Sequence, residues 1–170
     1  MSKGLSVTYP TDWRQRLWRL WYNLHPAIRG TGSFMTHLSA NWQEAHIVLP
    51  LWFRTRNYLG TLFGGSMFAA ADPVLLVMLI KILGPDYVVW DKSASIRYVR
   101  PGTGTLYLRF LVTETDLTTI REAVAAQGKT DHRFFLEYRN AAGELISRVE
   151  KVLFVADKAR FSQKNNQPNP

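Results

Sequence analysis

An α+β fold, in which a curved antiparallel sheet wraps around one long central helix with an extra helix at the N-terminus, is predicted by three features of this sequence. The first is the stretch 62–83, where Val74, Leu75, Leu76, Val77, Met78, Leu79, Ile80, Ile82 and Leu83 cover every side of a 3.6-residue wheel. A helix apolar all round has to be buried all round. The second is a set of strand-like runs on both sides of that stretch, separated by short turn-forming segments. The third is residues 12–29, whose first half is apolar at three- and four-residue steps.

Taken in order, residues 1–11 are polar with no periodicity and read as a loosely held arm. Thr11 or Asp12 can cap the helix that begins at Trp13. Trp13, Leu17, Leu20, Trp21 and Leu24 share one face of that helix, with Arg14, Arg16 and Arg19 on others and Pro26 as the stop. A basic, tryptophan-rich helix of this kind can lie in a membrane interface, but it more often covers a sheet, and covering is the expectation. Ser33 to Leu38 and Glu44 to Phe53 read as strands, the second weakened by Pro50. Arg54 to Thr61 is a loop. Beyond the central helix, Gly84-Pro85 supplies a stop, and Lys81 complements the helix dipole. Four more strand-like runs come after it: Tyr87 to Arg100, Thr105 to Thr115, Arg133 to Asn140 and Leu145 to Val155. Leu117 to Ala126 reads as a short helix at a sheet edge, and the single domain ends near residue 157. The polar tail 158–170 is expected to be disordered.

The chemistry points to the start of the central helix. Phe63-Gly64-Gly65-Ser66 brings bare backbone to a helix N-terminus, where unpartnered N–H groups can hold an oxyanion or a polarised carbonyl. Asp72 comes seven residues after Gly65, about two turns, and so falls on roughly the same face. Its neighbours Ala69, Ala70, Ala71 and Val74 would desolvate it and raise its pKa, as suits a general base. Asp72-Pro73 is also an ordinary N-cap and N1 pair. The expectation is that Asp72 does both, one oxygen capping and the other facing substrate. The run from Leu62 to Leu83 is long enough to span a bilayer, but a mid-span Asp costs about 3 kcal/mol on insertion scales and Pro73 breaks the ladder beside it, so a core helix is the preferred reading.

Asn57, Phe63-Gly64-Gly65 and Ala71-Asp72 resemble, landmark for landmark, the Asn, His-Gly-Gly and Ala-Asp pattern of hotdog-fold acyl-CoA thioesterases of the phenylacetic-acid type. Arg56-Asn57-Tyr58-Leu59-Gly60, Ala71-Asp72-Pro73, Leu83-Gly84 and Val89-Trp90-Asp91-Lys92 more closely resemble an uncharacterised bacterial family assigned to that superfamily, over about residues 20 to 157. The resemblance implies a hotdog fold. It also implies a base or nucleophile at Asp72, a carbonyl-directed amide at Gly65, and a homodimer or tetramer whose sites combine the helix of one subunit with the glycine loop of the other. The family's histidine is Phe63 here, which bears on rate and substrate more than on fold. Phe63, Gly64, Ser66 and Trp90 are then candidates to line an acyl pocket, and Lys92, Arg97 and Arg100 to meet carrier phosphates. Asn57 would hold a water or its own loop.

Composition narrows the alternatives. The 170 residues, 46% hydrophobic, suit one soluble domain with a substantial core. With no cysteine, thiolate metal sites and cysteine nucleophiles are excluded, and His25, His37, His46 and His132 lack ligand spacing. No metal or cofactor is expected beyond a coenzyme A thioester as substrate. The net charge of +8 comes without a basic run or nucleic-acid motif, so an anionic acyl carrier is a better match than nucleic acid. The start of the chain lacks a signal-like pattern, which makes a cytoplasmic protein the expectation. Two readings are left: an acyl-CoA thioesterase, or a non-catalytic acyl or lipid binding protein on the same scaffold. A hotdog dehydratase ranks last, since such enzymes pair an acid with a histidine and none is expected near the helix.

Overall fold

A computed structural model describes residues 8–165. Its helices and strands run in the order α1 (Trp13–Leu24), α2 (Pro26–Thr31), β1 (Phe34–Leu38), β2 (Glu44–Leu49), α3 (Gly64–Ala71), α4 (Pro73–Leu83), β3 (Tyr87–Tyr98), β4 (Leu106–Leu111), α5 (Glu114–Gln127), β5 (Lys129–Asn140), β6 (Leu145–Asp157) and α6 (Lys158–Asn165). The six strands form one antiparallel sheet in the order β1-β2-β4-β5-β6-β3. Edges lie at β1 and β3. The sheet and α3–α4 enclose a core that includes Ile47, Leu49, Leu75, Leu79, Leu106, Leu108, Phe110 and Tyr138. Tyr138 ties the two layers together, its hydroxyl donating to the Met67 carbonyl at 2.8 Å.

Several expectations are corrected. The central helix starts at Gly64 rather than Leu62, and it is broken into α3 and α4 at Asp72-Pro73. Proline has no N–H to donate and crowds the preceding turn, so the ladder ends there. Its apolar surface is not wholly covered within one chain, since Ile80 is 43% exposed. The run Gly64–Leu83 passes a length-and-hydropathy criterion for crossing a membrane, but half of its most apolar window is buried. Residues 12–29 hold two helices, because Pro26 starts α2 and Gly32, at φ 78°, ends it. β2 stops at Leu49, before Pro50.

The insertion between β4 and β5 begins three residues earlier than Leu117. A capping box starts it, with Thr113 and Asp116 each bonding the other's backbone N–H. It packs on β5 and β6 rather than at an edge. Helix α6 occupies 158–165, where a disordered tail was expected, and Phe161 explains it by packing edge-on to Trp90 at 5.2 Å. Residues 166–170 lie outside the described chain.

The arm ahead of α1 is also held more firmly than its composition suggests, as far as residues 8–10 show. Glu44, fully buried on β2, accepts from the N–H groups of Thr8 (2.6 Å) and Tyr9 (2.9 Å), from His46 Nε2 (2.9 Å) and from Arg109 Nε (2.7 Å). Burial alone would push its carboxyl up, but these four donors outweigh that and hold it at about 2. Residues 1–7, the rest of the expected arm, lie outside the described chain.

Candidate functional site

The α3 N-terminus is built as its sequence suggests. Phe63 is extended at the N-cap and offers no side-chain cap, while the N–H groups of Ser66 and Met67 return to its carbonyl. Helix geometry leaves the Gly64 and Gly65 amides without intrahelical acceptors. At both positions the absence of a side chain lets an aromatic ring lie close against the turn. A Cβ on Gly64 would sit 2.6 Å from the Tyr98 hydroxyl, and one on Gly65 would collide with the Phe63 ring.

Asn57 closes the loop ahead of this turn. Its Oδ1 accepts from Leu59 N (3.0 Å) and Thr61 N (3.1 Å), and its Nδ2 donates to Thr61 Oγ1 (2.9 Å). With both ends of the amide engaged, it holds the loop rather than a water. Asn57, Gly64, Met67, Tyr98 and Arg100 line a cleft of about 390 Å³.

Asp72 lies elsewhere. It faces a groove of about 600 Å³ between α1–α2 and α3–α4, walled by Trp18, Trp21, Ile28, Phe68 and Val77. Seven residues of helix separate it from Gly65, about 10 Å along the axis. In one chain Asp72 and Gly64 therefore line different cavities, and Gly65 lines neither, contrary to the single face expected of the acid and the glycine amides. Nor is Asp72 enclosed by its alanines, for its side chain is 54% exposed. It makes no side-chain cap, so the expected capping half of its role is absent.

A residue the motif does not contain holds Asp72 instead. Lys151 on β6 is fully buried, and its Nζ donates to the Asp72 carbonyl and, at 3.0 Å, to Asp72 Oδ1. It also lies 2.8 Å from Asp91 Oδ1, a charge contact off the hydrogen-bond axis. One buried cation thus joins the break in the central helix to β3. Strand alternation was the available signal, since Ser147, Val149, Lys151, Leu153 and Val155 share the inward face.

Two further groove residues escaped sequence reasoning. The Tyr22 hydroxyl is buried without a hydrogen-bond partner, and burial, reinforced by the nearby Asp72 charge, pushes it well above its ordinary pKa. His25 lines the groove with Asp72, so a histidine does lie beside the central helix. Both come from α1 and the residue after it, which the acid approaches only through the fold.

The remaining candidates disperse. Ser66 is buried. Trp90 stacks on Phe154 at 4.5 Å and lines neither cavity. Lys92 pairs with Asp131 on the surface, while Arg97 is exposed on β3 and Arg100 reaches the Leu145 carbonyl at 3.4 Å. Among the described residues no cluster of three His, Asp or Glu could hold a metal ion.

A family model described as "Domain of unknown function (DUF4442)" matches residues 14–155. No curated protein matches the chain. Among solved structures, a Pseudomonas aeruginosa protein described as a probable thioesterase superposes with a TM-score of 0.73 at 14% identity, covering 89% of this chain and 99% of its own. A Chlorobaculum tepidum protein of unknown function gives 0.68 at 14% identity, over 90% and 100% of the two chains. A Haemophilus influenzae thioesterase gives 0.61 at 13% identity, over 89% and 96%. At these identities the likeness is one of fold.

Proposed function

Since this chain belongs to the DUF4442 family and has the fold of structures described as thioesterases, we propose that it hydrolyses the thioester of an apolar acyl group carried by coenzyme A or a carrier protein. The observation that carries this reading is Asp72, a solvent-accessible carboxylate gripped by a buried lysine at the mouth of an apolar groove. The groove takes the acyl chain. Asp72 removes a proton from water, whose oxygen attacks the thioester carbon, or attacks that carbon itself. The oxygen that becomes negative is held by the Gly65 N–H. The C–S bond then breaks. On the first route the departing sulfur recovers the proton from Asp72. On the second it leaves as a thiolate that takes a proton from solvent, after which water hydrolyses the acyl–Asp72 anhydride and frees the carboxylate.

The spacing of these groups argues for a homodimer. A carbon cannot lie about 3 Å from both groups when they are about 10 Å apart on one helix, so the glycine turn serving an Asp72 comes from a second copy. Around the turn, Phe53 (76% exposed), Tyr58, Leu59 and Phe63 form an uncovered apolar rim suited to such a partner. β3 leaves its outer edge unpaired as well. Arg97 and Arg100 remain candidates for the carrier phosphates, whereas Lys92 is occupied by Asp131.

Asp72→Asn should lower hydrolysis of an acyl-CoA panel by about a hundredfold to ten-thousandfold while leaving the fold intact. Full activity in that variant would remove the acid from the mechanism. One observation favours the acyl-binding alternative: Phe63 crowds the Gly65 face where the resembling enzymes place histidine. Native mass spectrometry separates the two readings, since a retained acyl species with no turnover supports binding alone.

A further inference from the structure

The amphipathic helix α1 lies along edge strand β1 with Gln15, Trp18, Tyr22 and Asn23 turned inward rather than its leucines. Gln15 and Tyr22 are the residues it buries, and Gln15 Nε2 donates to the Ala40 carbonyl at 3.1 Å. Asn23 engages edge strand β1 as a neighbouring strand would, donating to Met35 O at 3.0 Å and accepting from Met35 N at 2.7 Å. Arg19 donates to the Thr36 carbonyl. These bonds fix the rotation of the helix. The consequence is that Trp13, Leu17, Leu20, Trp21 and Leu24 face outward, each 57% to 65% exposed, within an arc of about 100°. The helix therefore does not use its apolar face to cover the sheet, as its pattern alone suggests.

We infer that this stripe docks on an anionic membrane surface. Arg14 and Arg16 lie one on each side of it, placed to reach lipid phosphates while the leucines and tryptophans enter the acyl boundary. α1 itself contains no acid, and Asp12, the nearest, is occupied as its N-cap. The whole chain carries +8, which an anionic leaflet attracts. A second copy is a poorer occupant. A two-fold contact between stripes would set Arg14 and Arg16 against their own counterparts with no acid in either helix to offset them.

The stripe also adjoins the groove. Trp21 belongs to both, and Trp18, Tyr22 and His25 continue from it into the groove wall. Docking would bring the mouth of the groove to headgroup level, so an acyl chain could pass from the bilayer toward Asp72 without crossing water. That last step rests on the thioesterase reading, whereas the docking rests on the stripe alone.

The test is co-sedimentation of the full chain with vesicles made from an equal mixture of phosphatidylglycerol and phosphatidylcholine, or from phosphatidylcholine alone. Binding is expected to the mixed vesicles, with a blue shift of tryptophan emission and strong weakening by salt. Leu17→Ser with Leu20→Ser should reduce partition on the order of a hundredfold. Arg14→Gln and Arg16→Gln should each reduce it about fivefold on the mixed vesicles. All four side chains are exposed, so the variants should fold, and circular dichroism checks this. Asp72→Asn should bind vesicles like the parent whether or not it hydrolyses thioesters, which keeps the two proposals separable. The docking is overturned if the chain ignores both vesicles, or if the leucine variant binds as well as the parent. It is equally overturned if sedimentation velocity shows the leucine variant dissociating an assembly of the parent, for then a second copy covers the stripe.

Discussion

Replacing Glu44 with Gln should reveal how strongly the buried end of β2 depends on one negative charge. The carboxyl falls from 4.5 to about 2 in the fold, which at about 1.4 kcal/mol per pH unit corresponds to about 3 kcal/mol of stability. Because the folded value lies below the unfolded one, the native state binds fewer protons. The contribution is therefore complete above the unfolded value and is lost as the pH falls through the window from about 4.5 to about 2. Glutamine keeps the shape and an acceptor oxygen but brings an N–H₂ group toward four existing donors. Arg109, whose side chain is 29% exposed, can turn to water, whereas His46 and the two backbone amides have less freedom. Urea unfolding of both proteins, followed by tryptophan emission from about pH 7 down to about pH 3, measures the gap between them. We expect it to be on the order of 3 kcal/mol at neutral pH and to shrink as the pH falls below about 4.5. Asp116 and Glu137 also titrate low in the fold, but they are common to both proteins and cancel in the difference. His46, whose pKa burial lowers and Glu44 raises, is coupled to the substitution, so the change with pH is compared below about pH 4.5. A gap independent of pH would refute the reasoning, since Glu44 would then act through shape alone. Limited proteolysis gives a second readout, because loss of the bonds to Thr8 and Tyr9 should speed cleavage ahead of Pro10.

Lys151→Met should cost about 1–3 kcal/mol by leaving Asp91 Oδ1 without its cation. Hydrolysis should slow in that variant, and the slowing should disappear in an Asp72→Asn background, as a double-mutant cycle on turnover would measure. Gly64→Ala should cost no more than about 1 kcal/mol in thermal or urea unfolding, because the exposed Tyr98 ring can turn aside, and adding Tyr98→Ala should recover it. His25→Ala tests whether the groove histidine takes part in chemistry. An unchanged pH profile of turnover would make it a wall residue, and a lost limb would make it a proton carrier.

Much of this architecture was legible locally. Asp12 and Pro26 bound the first helical segment, Gly84 ends α4 at φ 84°, and strand alternation located the strands to within a few residues. These signals depend on the backbone freedom of single residues or on a short periodicity, so they survive without knowledge of the partners. Asp72 and Gly65 likewise stood out because a helix start and an acid two turns later carry chemistry wherever the chain puts them. The start of α5 was legible too, in Thr113 and Asp116, but the longer apolar pattern from Leu117 masked it.

What tertiary structure alone decided is where those features point. The pattern of α1 says that one face is apolar, but the bonds of Gln15, Arg19 and Asn23 to the 34–40 region turn that face outward. Such partners lie 12 to 25 residues away, beyond any local period. The grip of Lys151 on Asp72 spans 79 residues, and no spacing rule links a lysine on the last strand to the break in a central helix. Helix 158–165 exists because Phe161 reaches Trp90 and Phe154, a contact that its polar composition does not announce. The two cavities are divided for the same reason. Which cavity a side chain enters depends on the packing of α2 against α3 and of α1 against β1, which local sequence cannot specify because each contact joins segments apart in the chain.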